Sequence, residues 1–290
     1  IPGCVLWHDA ADSNTFTFSS GSVTAWINKA STTSAVATAN TPITLNANGL
    51  GTGYPALTFP ATATHLSGPV SFGFTTSLSV FSVFSMSASS GVAARVLSLA
   101  ATNVPDYNNL SYVGILRQTV ANMGPYRNVP YAGAPISYDT RVMNTSVVEG
   151  LSGEEGEATS ISMLSATDGG TPVRINTTPA FFGISAYRIA NTTENADTTA
   201  GRFQGSIGEI IAFDSSLTLN ERQQVEGYLA WKWGLQANLP VGHPFKNNPT
   251  GMRVFRPIDI FPCALWLDAA DSSTILPSNI TSGTAITRWN

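Results

Sequence analysis

The chain has 290 residues, 43% of them hydrophobic and only 11% charged, against about 25% charged in an average globular protein. Apolar residues are frequent and evenly spread, which excludes a disordered chain, and a net charge of −4 without any Lys/Arg run excludes a nucleic-acid footprint. No apolar run approaches the ~20 residues that span a bilayer, so no membrane insertion is expected, and Ile1-Pro2-Gly3-Cys4 reads as mid-chain sequence rather than a signal peptide.

From the N-terminus, short β-type runs are punctuated by Gly, Pro and Asn. They are Cys4–His8, Val23–Ile27, Ala56–Phe59, Leu78–Met86 and Arg95–Leu99, then Tyr112–Arg117, Arg141–Val148, Thr159–Leu164, Phe181–Arg188 and Ile207–Phe213. Ser and Thr stand where charges would otherwise be. In Leu78-Ser79-Val80-Phe81-Ser82-Val83-Phe84-Ser85-Met86 they alternate with apolar residues, which predicts half-buried strands with a hydroxylated outer face. This many short strands predict an all-β fold, a two-sheet antiparallel sandwich.

One helix is predicted, from about Thr218 to Trp233. Thr218 and Glu221 form a T-x-x-E capping box, and Gly234 stands at C′. Leu219, Val225, Tyr228, Leu229 and Lys232 share one stripe, with Lys232 expected to snorkel outward. This helix is expected to pack on the sandwich edge.

The sequence then repeats. Residues 4–12, C-V-L-W-H-D-A-A-D, return as C-A-L-W-L-D-A-A-D at 263–271, seven of nine positions identical at an offset of 259. Val23-Thr24-Ala25-Trp26 returns as Ile286-Thr287-Arg288-Trp289, with four extra residues before it. The expected organisation is a sandwich domain over 1–242, a Pro- and Asn-rich linker over 243–262, and the first strands of a second, truncated repeat over 263–290. Cys4 and Cys263 hold equivalent places in successive repeats, so free thiols are favoured over a disulfide between them.

The two ends of the unit carry a family resemblance. The run from Gly208 to Asp214, then Leu217-Thr218, then Glu221 through Leu235 with its Trp231-Lys232-Trp233-Gly234, and then Leu239-Pro240 and His243-Pro244-Phe245, resembles the C-terminal signature of laminin-G-like, concanavalin A-like jelly-roll domains. Such domains occur in large-DNA-virus and phage structural proteins and in marine bacterial surface proteins. The opening Leu6-Trp7-His8-Asp9-Ala10-Ala11-Asp12 with Trp26 resembles the same family's first strands. The resemblance implies a jelly roll whose concave face or edge loops often bind sugars, with Trp7, Trp26, Trp231 and Trp233 in the core. It implies no single function.

Related glucanases place two carboxylates on one strand in an E-x-D-x-x-E run, as retaining glycoside hydrolysis requires. That run is missing, Glu209 reads as a strand-end residue paired with an Arg, and no enzyme is expected. Asp9 and Asp12, repeated as Asp268 and Asp271, either cap a turn or ligate a structural Ca²⁺; capping is favoured and no other cofactor is expected. The acidic loop Glu149–Glu157 lacks EF-hand spacing. His8, His65 and His243 are scattered, and His8 becomes Leu267 in the second repeat.

Five of the eight tyrosines fall between 107 and 138, among Asn, Arg and Pro. Tyr107, Tyr126, Arg127, Tyr131 and Tyr138 are the candidate ligand-binding residues, suited to stacking on sugars or to a protein interface. Sequons at Asn109, Asn144, Asn176, Asn191 and Asn279 are candidate glycosylation sites. The expected function is a non-catalytic structural or adhesive module of a virion surface or extracellular protein, with other structural proteins of the particle or surface as partners. The alternative is a carbohydrate-binding module that attaches to host glycans.

Overall fold

The computed structural model describes residues 3–30, 36–60, 62, 64–69, 77–100, 112–117, 122–126, 132–149, 161–177, 184–192, 201–248, 275–276 and 288–289. The chain divides into one unit of Gly3–Met252 and another of Arg253–Asn290 with Ile1–Pro2.

The first unit begins with β1 (Cys4–Asp9), β2 (Phe16–Ser19), β3 (Ser22–Ile27), β4 (Val36–Asn46), β5 (Ala56–Phe59), β6 (Leu66–Pro69), β7 (Leu78–Met86) and β8 (Arg95–Ala100). It continues with β9 (Tyr112–Arg117), β10 (Asn122–Tyr126), β11 (Ala134–Pro135), β12 (Arg141–Glu149), β13 (Ile161–Thr167), β14 (Val173–Thr177), β15 (Ala186–Ile189) and β16 (Gly205–Phe213), and closes with helix α1 (Leu219–Lys232).

All described pairings are antiparallel, and the strands form a two-sheet, jelly-roll-like sandwich. One sheet runs β14-β13-β12-β7-β16, and the far side of β16 is shared by β5 (Gly205↔Phe59) and β1 (Asp9↔Glu209). The other runs β11-β10-β9-β8-β15-β6-β4-β3-β2. Strand β4 joins them, because residues 36–39 pair with β3 and β6 while 44–46 pair with β5. The core between the layers takes Leu6, Val80, Phe84 and Ile210 from one sheet and Val23, Trp26, Leu99 and Tyr187 from the other. Each such burial contributes roughly 1.5–3 kcal/mol.

Strand β7 is buried almost throughout rather than half-buried. Leu78, Val80, Phe84 and Met86 enter the main core. The alternate residues Phe81 and Val83 are also fully buried, and Phe81 meets Phe213 of β16 edge to face. The cover over this outer face is α1, which lies against β7 and β12 of the first sheet and not on the sandwich edge.

The helix ends follow the sequence. Thr218 and Glu221 form the reciprocal capping box. Gly234 at φ +66° lets the Leu235 amide reach the Ala230 carbonyl at 2.7 Å, closing the helix with a Schellman turn. Two members of the expected stripe depart from it. Leu219 is 60% exposed, being at the first helical position with no sheet opposite. Lys232 does not snorkel; its ammonium turns inward to two carboxylates.

Residues 243–248 belong to this unit rather than to a linker. Phe245 packs on Gly227, where an added Cβ would lie 2.7 Å from the ring. Its carbonyl accepts from Trp231 Nε1 at 2.7 Å, and Lys246 Nζ donates to the carbonyls of Ala237 and Leu239.

In the second unit, β17 (Ile275–Leu276) pairs with β18 (Arg288–Trp289) in the register Ile275↔Trp289, Leu276↔Arg288. The repeat-equivalent residues of the first unit pair as Phe16↔Trp26 and Thr17↔Ala25. Both hairpins therefore share one register, and the four extra residues fall in the connection between the strands.

Candidate functional site

The alternation of β1 and β16 sends Leu6 and His8 into the core and Trp7, Asp9 and Glu209 toward α1. Beneath the helix Glu209 is fully buried. Oε1 accepts from Trp7 Nε1 at 2.8 Å and Tyr228 Oη at 2.9 Å. Oε2 accepts from Trp233 Nε1 at 2.7 Å and Lys232 Nζ at 2.8 Å. The expected Arg partner is thus replaced by a lysine and three aromatic donors, in mid-strand. Burial, then the charges of Glu209 and Asp9, push the Tyr228 hydroxyl well above its usual pKa, so it remains a donor. Fully buried beneath the helix, this carboxylate presents no surface to a sugar.

Asp9 Oδ1 lies 2.6 Å from Lys232 Nζ. Lys29 Nζ sits 3.0 Å from both Asp9 Oδ2 and Asp12 Oδ2. Asp9 Oδ1 also accepts from the Ala11 amide, and Asp12 Oδ1 from the Asn14 amide, capping the short turn Ser13–Thr15. Burial works to raise the Asp12 pKa, but the Lys29 hydrogen bond and charge outweigh it and hold the carboxyl below its usual value. These acids cap the turn, and an ammonium occupies the place considered for Ca²⁺.

A second buried carboxylate, Glu226, accepts from Thr145 Oγ1 at 2.9 Å and faces Arg222 at 3.4 Å and His243 Nε2 at 3.3 Å. His243 thereby ties the segment after the helix to α1, and Glu226 in turn ties α1 to β12 through Thr145. His8 makes a 2.8 Å hydrogen bond with Tyr187 Oη in the main core, and burial pushes its pKa down to about 3. Burial also raises the Cys4 thiol to about 12, an inert thiol, and Cys4 is free; Cys263 lies outside the described residues.

Of the candidate ligand residues, Tyr107, Arg127 and Tyr131 lie outside the described residues, and Tyr126 ends β10. Tyr138 is half-buried against the core rather than standing free. Two sequons are corrected by burial. Asn144 is fully buried and donates to Ser165 Oγ at 3.1 Å, and Asn191 is fully buried too, so neither has room for a glycan in the folded domain. Asn176 is exposed on β14, whereas Asn109 and Asn279 lie outside the described residues.

Sequence reasoning missed an open cleft of about 340 Å³ between the β13–β14 turn, the β11–β12 connection and the segment after α1. Thr167-Asp168-Gly169-Gly170 is a type I′ turn, with φ of +50° at Asp168 and +69° at Gly169. Asp168 Oδ1 accepts from the Met143 amide at 2.8 Å, and Oδ2 from Asn238 Nδ2 at 3.0 Å. Burial raises the Asp168 pKa. Arg141 forms another wall, fixed by donation to the carbonyls of Leu50 and Gly234. Ser137, Thr140 and Thr167 bring hydroxyls, and Pro135, Ile136 and Val142 bring apolar surface. β11 pairs with β10, so this wall continues directly from the Tyr- and Asn-rich stretch. The local signal present in the sequence was the turn run Asp168-Gly169-Gly170, which sequence reasoning did not single out; the meeting with Asn238, 70 residues away, leaves no local signal.

No family model and no curated protein matches the chain. Among solved structures, Trypanosoma rangeli sialidase in complex with sialic acid aligns over 77% of this chain and 32% of its own, at 10% identity and TM-score 0.47. Domain 4 of AbnA, a GH43 extracellular arabinanase from Geobacillus stearothermophilus, in complex with arabinotriose, aligns over 75% of this chain and 95% of its own, at 10% identity and TM-score 0.47. The Ruminococcus gnavus IT-sialidase CBM40 bound to α2,3-sialyllactose aligns over 51% and 80%, at 14% identity and TM-score 0.38. The chain spans about a third of the sialidase chains it matches.

Proposed function

We propose that the Gly3–Met252 unit is a non-catalytic carbohydrate-binding module, one of a tandem series in a secreted or surface-exposed protein, with the Asp168 cleft as its sugar site. The cleft carries this reading. Its volume falls in the usual range of roughly 300–1,000 Å³ for small-ligand sites. A saccharide hydroxyl both donates and accepts, and a carboxylate, an amide and three hydroxyls meet that need, while Pro135, Ile136 and Val142 suit the C–H face of a ring. Among the described lining residues Asp168 is the one carboxylate, and glycoside hydrolysis by the usual route needs two. Glu209 and Asp9 do not substitute, because both are buried beneath α1 whereas Asp168 is partly exposed in the cleft.

The test is a glycan array probed with the full chain. Asp168→Ala and Asn238→Ala are expected to weaken any binding about tenfold or more, the usual loss for a charged or buried hydrogen bond. Tyr126→Ala and Tyr131→Ala test whether the site extends along the neighbouring stretch. An array with no ligand, or binding untouched by the Asp168 and Asn238 variants, refutes the cleft. Release of reducing ends from β-glucans, abolished by Glu209→Gln, overturns the non-catalytic reading.

A second reading, a structural or adhesive module of a virion or cell surface, is favoured by the shared register of the two hairpins. It predicts ordered assembly of the chain with copies of itself or neighbouring surface proteins, and no glycan dependence.

A further inference from the structure

The geometry points to an intramolecular amide bond that forms between Lys232 and Asp9, with Glu209 as the proton relay. Lys232 Nζ lies 2.6 Å from Asp9 Oδ1 and 2.8 Å from Glu209 Oε2. The Lys232, Asp9 and Glu209 side chains are 15%, 6% and 0% exposed. The ammonium also stands 5.3 Å and 5.5 Å from the ring centroids of Tyr228 and Trp233. An amine, a carboxyl carbon and a second carboxylate are thus held together under an aromatic cover. Such fixed proximity replaces a bimolecular encounter.

The step balances without any added reagent. Lys232 passes a proton to Glu209, and the neutral amine attacks Asp9 Cγ to form the C–N bond. Negative charge gathers on Oδ2, which Lys29 Nζ faces at 3.0 Å. The bond from Cγ to Oδ1 then breaks, and Oδ1 leaves as water carrying two protons that both originate on the Lys232 nitrogen, relayed by Glu209. One positive and one negative charge disappear together, and Glu209 is regenerated. The product ties β1 to the last turn of α1, the first and last elements of the unit, as a cross-link between Asp9 and Lys232.

The experiment is the intact mass of the full chain, folded and then denatured, followed by protease mapping. The expected wild-type mass is lower than the sequence mass by one water, with a branched peptide joining β1 to α1. Lys232→Arg keeps the charge but forms no amide, and should show its full sequence mass. Asp9→Asn should lose one ammonia in place of water. A wild-type chain at full mass after prolonged incubation overturns the proposal and leaves an ion pair. A loss of water that persists in Lys232→Arg also overturns it, because the dehydration then lies elsewhere.

Discussion

Asp9 and Glu209 are direct partners in the β1–β16 ladder, and the single ammonium of Lys232 lies within 2.8 Å of both. Two carboxylates this close repel each other in a poorly solvated place, and Lys232 with Lys29 balances them. Before any Asp9–Lys232 amide forms, the helix and the sheet are therefore joined by charge as well as by apolar contact. Glu209→Gln sets an amide N–H₂ against donors it cannot accept from and removes one charge of a buried set. A loss of roughly 3 kcal/mol is expected, near the usual cost of breaking a buried pair. Urea unfolding of the variant against the parent measures it.

Gly227→Ala should also destabilise, although alanine is the better helix former by about 1 kcal/mol. The new methyl group would lie 2.7 Å from the Phe245 ring, and Phe245 is fixed behind His243 and Trp231. Overpacking of this kind costs about 1–3 kcal/mol and wins. Thermal melts should show a lower midpoint, and Gly227→Ala combined with Phe245→Ala should recover part of the helix gain.

His8 gives the stability a pH slope. Its folded-state pKa of about 3 lies below the unfolded value near 6.5, so the unfolded chain binds the extra proton between those limits. Stability is full above pH 6.5 and falls as pH drops toward 3. The loss is about 1.4 kcal/mol per unit, or about 2 kcal/mol by pH 5. His8→Leu, the residue found at position 267 in the second repeat, should remove this part of the slope. Denaturant midpoints at pH 7 and pH 5 for both chains decide it.

Much of the fold was readable because its causes are local. The apolar run over 78–86, the capping box at Thr218 and the glycine at 234 each act within a few residues, and the strand, cap and helix end appear where expected, although β7 is buried on both faces. Strand β4 was missed because Val36–Asn46 mixes hydroxyls, alanines and Pro42 without a period, being needed by both sheets in turn. The role of Glu209 was missed for another reason. Its partners Trp7, Tyr228, Lys232 and Trp233 come from β1 and α1, and spacing along one strand cannot reveal them. The signal present was the joint occurrence of Trp, Tyr and Lys in the two segments that carried the family resemblance. The cleft depends in the same way on distant residues meeting at the Asp168 turn.

The sugar site is tested most directly by titrating an oligosaccharide chosen from the array into isotope-labelled full chain and following the backbone amide shifts. Saturable shifts centred on Met143, Asp168 and Asn238, and abolished by Asp168→Ala, are the predicted result. Saturable shifts confined to another part of the domain, or no shift with any glycan, would contradict it.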